Sequence, residues 1–306
     1  MESDRSIFAT LKATVMEFIE DEMTDRAAAL TYYGLLSLFP ALIALVAVIG
    51  LVADPQETTR KLTEIVSNLG PSTASDTFSG PVESITSNRG ASGFAFVFGL
   101  AAALWSASGY IGAFGRASNV IYETKEGRPF WKLRPLQILV TLVMVLILAV
   151  LALGLVMTGP VVSAVAEPLG VGSTAQTVWN IAKWPVMIVL VLLMLAVLYH
   201  ASPNVKIPGF KWVTPGAVVA LVVWVIASAL FALYVANFGS YDKTYGTLGG
   251  FVALLVWFWI SNIALLFGME LNSEIERNRE FADGVEEAET EIQLEPRDEP
   301  KPKRTA

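Results

Sequence analysis

Cysteine is absent and histidine occurs once, at His200. The first absence excludes disulfides, thiolate nucleophiles and thiolate-held metals. The second leaves little room for imidazole acid–base or metal chemistry. Charge is scarce as well: Asp, Glu, Lys and Arg make up 16% of the 306 residues, against about 25% in ordinary globular domains. What charge there is avoids long stretches, and no Asp or Glu is expected near the middle of an apolar segment, which argues against a carboxylate proton relay inside a membrane. Ser37, Ser106 and Ser108 lack a His or Lys at matching depth to act as base, so they read as small packing residues rather than nucleophiles. No catalytic residue, metal site or cofactor is therefore expected, and the chain does not read as an enzyme.

Apolar residues are abundant, at 54%, above the roughly 45–50% of soluble domains. They gather in uncharged runs, from Ala27 to Val52, Ala91 to Gly115, Pro135 to Ala166, Trp184 to Tyr199, Trp212 to Tyr241 and Thr244 to Met269. About 20 apolar residues at 1.5 Å of helical rise cross about 30 Å of hydrocarbon. The runs predict an all-α, six-helix membrane bundle with spans at about 27–52, 92–115, 136–157, 178–199, 213–238 and 247–271. Residues 1–277 form one membrane domain on this reading. The start of the chain is acidic and its first apolar run is too long for a signal h-region, so no cleavable signal is expected. Ile7, Phe8, Leu11, Val15, Phe18 and Ile19 recur at helical spacing; this amphipathic helix either lies on the membrane surface or packs on the bundle. Leu62, Ile65, Val66 and Leu69 mark a second short amphipathic helix in the largest connection. Pro40 removes a backbone donor from the first span and is read as a kink or hinge. Lys183, near one end of span four, is either a ligand-binding cation or a snorkelling one.

Sixteen Lys and Arg fall in the N-terminal segment, the second and fourth connections and the C-terminal segment, and four in the remaining connections. The positive-inside bias places both termini in the cytoplasm. Residues 278–306 hold nine Asp or Glu and five Lys or Arg, and so supply four of the seven excess negative charges. This charge-rich, proline-containing tail is expected to be disordered.

Several segments recur together in one known family. They are Asp25-Arg26-Ala27-Ala28-Ala29-Leu30-Thr31-Tyr32-Tyr33-Gly34, leading to Phe39-Pro40; Trp105-Ser106-Ala107-Ser108-Gly109 with Asn119 and Tyr122; and Leu198-Tyr199-His200-Ala201-Ser202-Pro203. Pro215-Gly216-Ala217 and Tyr245-Gly246-Thr247-Leu248-Gly249-Gly250, continuing through Trp257 to Gly268-Met269-Glu270-Leu271-Asn272, complete the set. In these motifs and their order, over about residues 5–277, the chain resembles the YihY/BrkB family of bacterial inner-membrane proteins. It departs from the family at His200, where Arg is more usual, and in the acidic tail. The resemblance implies an inner-membrane helical bundle and no settled activity, since members have been labelled ribonuclease BN, virulence or serum-resistance factors, and envelope or lipid transporters. The residues arbitrate. A nuclease needs clustered metal ligands and a basic surface for phosphates, and this chain offers neither, so nucleic acid is not an expected partner.

Two readings remain: a transporter or exporter of a small or lipid-like, anionic solute linked to the cell envelope, or a scaffold for envelope assembly that moves nothing. On the first, a cavity open to the cytoplasm is lined by spans one, two and six. Its candidate residues are Arg26, Tyr33, Ser37, Trp105, Ser108, Asn119, Asn262 and Glu270, with Pro40 as hinge. Ser37, Ser108 and Asn262 are placed at similar depth, and Asp25, Arg26, Arg116 and Glu270 form the mouth, where Arg26 or Arg116 pairs Glu270. Membrane lipids are expected partners, and the oligomeric state is not legible.

Overall fold

The structure is a computed structural model that describes residues 6–50, 93–156, 172–209, 212–237 and 247–300. Within them the chain forms seven helices: α1 (Ile7–Glu20), α2 (Met23–Gly50), α3 (Gly93–Ile121), α4 (Phe130–Val156), α5 (Gly172–Ala201), α6 (Pro215–Asn237) and α7 (Thr247–Ala282). Six of them, α2 to α7, are long and apolar enough to cross a membrane. No strand forms among the described residues beyond one isolated bridge between Val205 and Pro296. The short amphipathic helix expected at Leu62–Leu69 lies outside the described residues.

Local chemistry sets the helix ends. The Ser6 hydroxyl accepts from Ala9 N–H at 3.3 Å and starts α1. Glu22, at φ 52°, turns the chain sharply from α1 into α2, and Glu123, at φ 48°, closes α3. Pro215 opens α6, where its missing N–H costs nothing. α2 runs through Pro40 as one continuous helix.

α7 packs against α6, α2 and α1; α2 also packs against α3 and α4, and α3, α4, α5 and α6 each touch the next. The shared core includes Leu30, Phe114, Tyr199, Ala217, Leu266 and Met269, with Phe114 and Tyr199 stacked at 6.3 Å. α6 and α7 approach most closely at Gly216 and Gly268. A Cβ on either glycine would run into the other's carbonyl, and one on Gly268 would also meet Ala220 and the Tyr199 hydroxyl. Small residues here let two backbones touch, the usual device for helix association where lipid removes the hydrophobic drive. On the outer faces, Leu139, Leu146, Val150, Ile188, Val222 and Ile226 are exposed, as a lipid-facing surface requires.

α1 resolves the two readings of its stripe. It does pack on α7, through Phe18 against Phe267 at 5.8 Å and through Asn278, which donates to Thr10 Oγ1 at 3.1 Å. The buried face, however, is Thr10, Thr14 and Phe18, whereas Ile7, Phe8, Leu11, Val15 and Ile19 remain exposed. Most of the predicted apolar stripe therefore points away from the bundle, the geometry of an interfacial helix.

The tail departs from the expected disorder over residues 278–300; residues 301–306 lie outside the described ones. α7 continues to Ala282, Gly284 reverses the chain at φ 94°, and a 3-10 turn spans Glu286–Glu289. Ala288 and Ile292 are buried against the bundle. The segment then crosses two connections, with Lys206 N–H donating to Glu295 O at 2.8 Å and Arg297 N–H to Asn204 O at 2.9 Å. Composition misled because it averages charge over the segment, while the few apolar residues and backbone groups that dock decide the outcome.

Candidate functional site

Asn262 stands on α7 at the junction of α2, α3 and α7 and is 4% exposed. Tyr110 of α3 donates its hydroxyl to Asn262 Oδ1 at 2.7 Å, and Asn262 Nδ2 donates to Thr31 Oγ1 of α2 at 3.1 Å. Thr31 in turn donates back to Ala27 O at 2.8 Å. One buried amide thus ties three helices together. A side chain with both donor and acceptor capacity can bridge in this way, and hydrocarbon offers no alternative partner.

The predicted residues gather only in part. Ser37 and Ser108 are buried, at 7% and 0% exposure. Ser108 donates its hydroxyl to Trp105 O at 2.7 Å. Ser37 lies six residues beyond Thr31, about 9 Å along α2, so it does not share the depth of Asn262. Trp105 is 48% exposed and lies against α4, with Arg134 4.3 Å over its ring. Tyr33 packs on the core, with the Arg116 guanidinium 5.2 Å from its ring centre. Arg26 donates Nε to Asp21 O at 3.0 Å and so braces the turn between α1 and α2. Glu270 is 2% exposed with Oε2 lacking a hydrogen-bond partner, and neither Arg26 nor Arg116 forms an ion pair with it among the described residues. Lys183 Nζ sits 5.6 Å over the Trp184 ring.

Asn119 belongs to a second polar assembly, at the end of the bundle where α1 and the tail lie. Its Nδ2 donates to Glu126 Oε2 at 3.0 Å and its Oδ1 accepts from Asn204 N–H at 2.7 Å. Arg128 grips Glu126 with Nε and Nη2, both at 2.7 Å, and reaches Ser202 O at 2.8 Å. Asn204, fully buried, donates Nδ2 to Lys125 O and to Asp298 O, each at 2.9 Å. Nearby, Arg277 bridges Glu17 and Glu274, each at 2.8 Å, and locks α1 to α7.

Charges at this end are tuned by burial and by neighbours. Burial, then the Glu17 carboxylate, pushes Asp21 up to about 6 despite Arg26. Burial, then Glu291, pushes Glu123 up to about 7. Burial works against Glu126 as well, but its hydrogen bonds from Arg128 and Asn119 win and hold it below the usual carboxylate range. No group of three or more His, Asp or Glu stands ready for a metal ion among the described residues.

Two cavities flank these assemblies. One, of about 60 Å³, lies among the ends of α5, α6 and α7 and is lined by Tyr122, Tyr199, His200, Thr214, Asn272 and Glu276. The other, of about 190 Å³, opens between α3, α4 and the end of α5. The residues that reading the sequence missed are Thr31, Tyr110, Glu126, Arg128 and Asn204. Thr31, Tyr110, Arg128 and Asn204 look like ordinary span or loop residues until distant partners, such as Lys125, 79 residues from Asn204, are brought beside them.

Comparison with known proteins gives a consistent result. The profile of a family described as virulence factor BrkB matches residues 14–292. The ribonuclease-like protein YfkH of Bacillus subtilis (strain 168) is 33% identical over 277 residues, covering 89% of this chain and 97% of YfkH. UPF0761 membrane proteins of Pseudoalteromonas translucida (strain TAC 125) and Aliivibrio salmonicida (strain LFI1238) are each 29% identical. They cover 83% and 88% of this chain, and 82% and 83% of their own lengths. No solved structure matches.

Proposed function

We propose, for a chain that belongs to the virulence factor BrkB family of membrane proteins, that it moves a small or lipid-like, anionic solute across the bacterial inner membrane, with both termini in the cytoplasm. The observation that carries the reading is the Asn262 junction. A polar tie between three spans is a joint that a moving bundle can break and remake, because its hydrogen bonds have limited net worth, about 1 kcal/mol each. Pro40, in the same helix as Thr31, would let α2 bend as the joint opens. Glu270, about two turns beyond Asn262 on α7, is buried with its own Oε2 lacking a hydrogen-bond partner, a group whose needs are unmet in this arrangement.

A name containing "ribonuclease" belongs to YfkH alone among the relatives described. No metal-ligand cluster among the described residues supports that chemistry here, and the reading is of a protein that is not an enzyme. The scaffold alternative draws on partner-binding surfaces outside the membrane, the acidic tail and the long first external connection; the tail is docked onto the bundle over residues 283–300, and the connection lies outside the described residues.

Cysteine reactivity tests the reading, since the native chain has no cysteine. Ser108→Cys and Ser37→Cys are buried in this arrangement, so they should react with a membrane-permeant polar thiol reagent only when the joint opens. Asn262→Ala should speed that reaction. Complete protection of both sites in wild-type and Asn262→Ala backgrounds, with the fold intact, would remove the moving joint and the transport reading with it.

A further inference from the structure

The α4 flank of α3 carries a cavity that the Asn262 junction does not use. Its walls are mainly apolar, from Ile111, Leu133, Leu136 and Val140, and Gly112 and Gly115 leave room between Ile111 and Arg116 on its α3 side. Polar groups close one part of it. Ser202 is 5% exposed, and its Oγ is buried without a hydrogen-bond partner. Arg116 lines the same space; its Nη1 reaches Gly112 O at 3.2 Å, and it has no carboxylate partner among the described residues. Gln137, also in the lining, accepts from Arg134 Nη1 at 3.2 Å. Arg134 Nη2 donates to Trp105 O at 2.7 Å, its Nε is buried without a partner, and no carboxylate reaches it among the described residues.

Neighbouring cations are treated differently. Arg128 and Glu126 both line the same wall and neutralise each other at 2.7 Å, and Lys132 pairs with Asp298 at 2.6 Å. A chain with seven excess negative charges thus leaves two arginines uncompensated on one flank. That flank faces lipid: Trp105, Phe130 and Trp131 are 48%, 66% and 71% exposed, the aromatic composition of a membrane interface. A guanidinium on a lipid-facing flank is costly without a counter-anion, and arginine suits phosphate oxygens because its donors form a planar fork.

We propose that this cavity is a binding site for the phosphate ester of an anionic phospholipid. Arg116, in the lining, is its cationic ligand, and Arg134, bonded to the lining residue Gln137, adds positive charge at its edge; the Ser202 hydroxyl is a neutral donor, and the Ile111, Leu136 and Val140 wall receives an acyl chain. Basic pockets between spans recognise anionic headgroups in this way. The proposal does not rest on the transport reading, since a lipid can occupy the site whether or not anything is moved.

Native mass spectrometry of the full chain, released from detergent with equal phosphatidylglycerol and phosphatidylcholine, tests it. Wild-type protein should retain phosphatidylglycerol on the order of tenfold better. Arg116→Gln, at an exposed side chain, should reduce that preference severalfold, and Arg116→Gln with Arg134→Gln should bring it near parity at an unchanged elution profile. Should the double variant fail to fold, the wild-type preference and the single variant still decide. Equal retention of both lipids by wild type, or an unchanged preference in Arg116→Gln, overturns the site. Inorganic phosphate at about 100-fold excess over lipid distinguishes the source: no displacement of phosphatidylglycerol supports the lipid, and full displacement overturns it in favour of free phosphate.

Discussion

Asn204 concentrates the forces that hold the tail down. Its side chain is fully buried and donates to Lys125 O and Asp298 O at 2.9 Å, and its Oδ1 accepts from Asp298 N–H at 3.3 Å. Asn204→Ala deletes these bonds and strands two carbonyls. At about 1 kcal/mol for each good bond, with more for a buried group left unpaired, the expected loss is ~2–4 kcal/mol. Two kilocalories raise the undocked population about 30-fold. Hydrogen exchange read by mass spectrometry on peptides covering 291–300 should therefore accelerate by about that factor, the Arg297 amide being released from Asn204 O. Lys206→Ala is the control: it removes an ion pair with Glu295 whose side chains are 58% and 76% exposed, and water screens such a pair to little effect. Equal exchange in wild type and Asn204→Ala would refute the docked tail, and a larger effect from Lys206→Ala would refute this apportioning of its energy.

Three further outcomes are expected. Glu123 and Asp21 have folded-state values raised to about 7 and about 6, so their protonated forms favour the fold. The stability they contribute is present below their ordinary values, 4.5 and 3.8, and is lost as pH rises towards 7. Glu123→Asn, which also suits φ 48°, should flatten the fall of the melting temperature between about pH 4.5 and 7; a parallel profile would remove that assignment. Gly268→Ala should cost about 1–3 kcal/mol through overpacking against Gly216 and Tyr199, seen as a lower melting temperature in detergent, and no shift would refute the close approach. Reporter fusions after Asn204 and Asn272 should report cytoplasm and one near Ser79 the outside, with the reverse pattern refuting the proposed orientation.

Much of the architecture was legible along the chain because its cause is one-dimensional. Hydrocarbon thickness and helical rise demand about 20 apolar residues per span, and the runs supply them, so six helices and the all-α class follow directly. The lack of cysteine and the single His200 likewise bound the chemistry before any fold is known. That Asn262, within a span, must find polar company was also legible. Which company it finds was not. Thr31 and Tyr110 reach Asn262 from 231 and 152 residues away, and Trp105 faces α4 because the rotation of α3 is set by its neighbours. The same holds for the tail and for α1. Their sequences state a composition and a periodicity, but only the assembled bundle offers Asn204 to Asp298, or Thr10 to Asn278. Hydrophobic burial is a property of each segment, whereas hydrogen-bond complementarity is a relation between segments, and tertiary structure alone brings its two halves together.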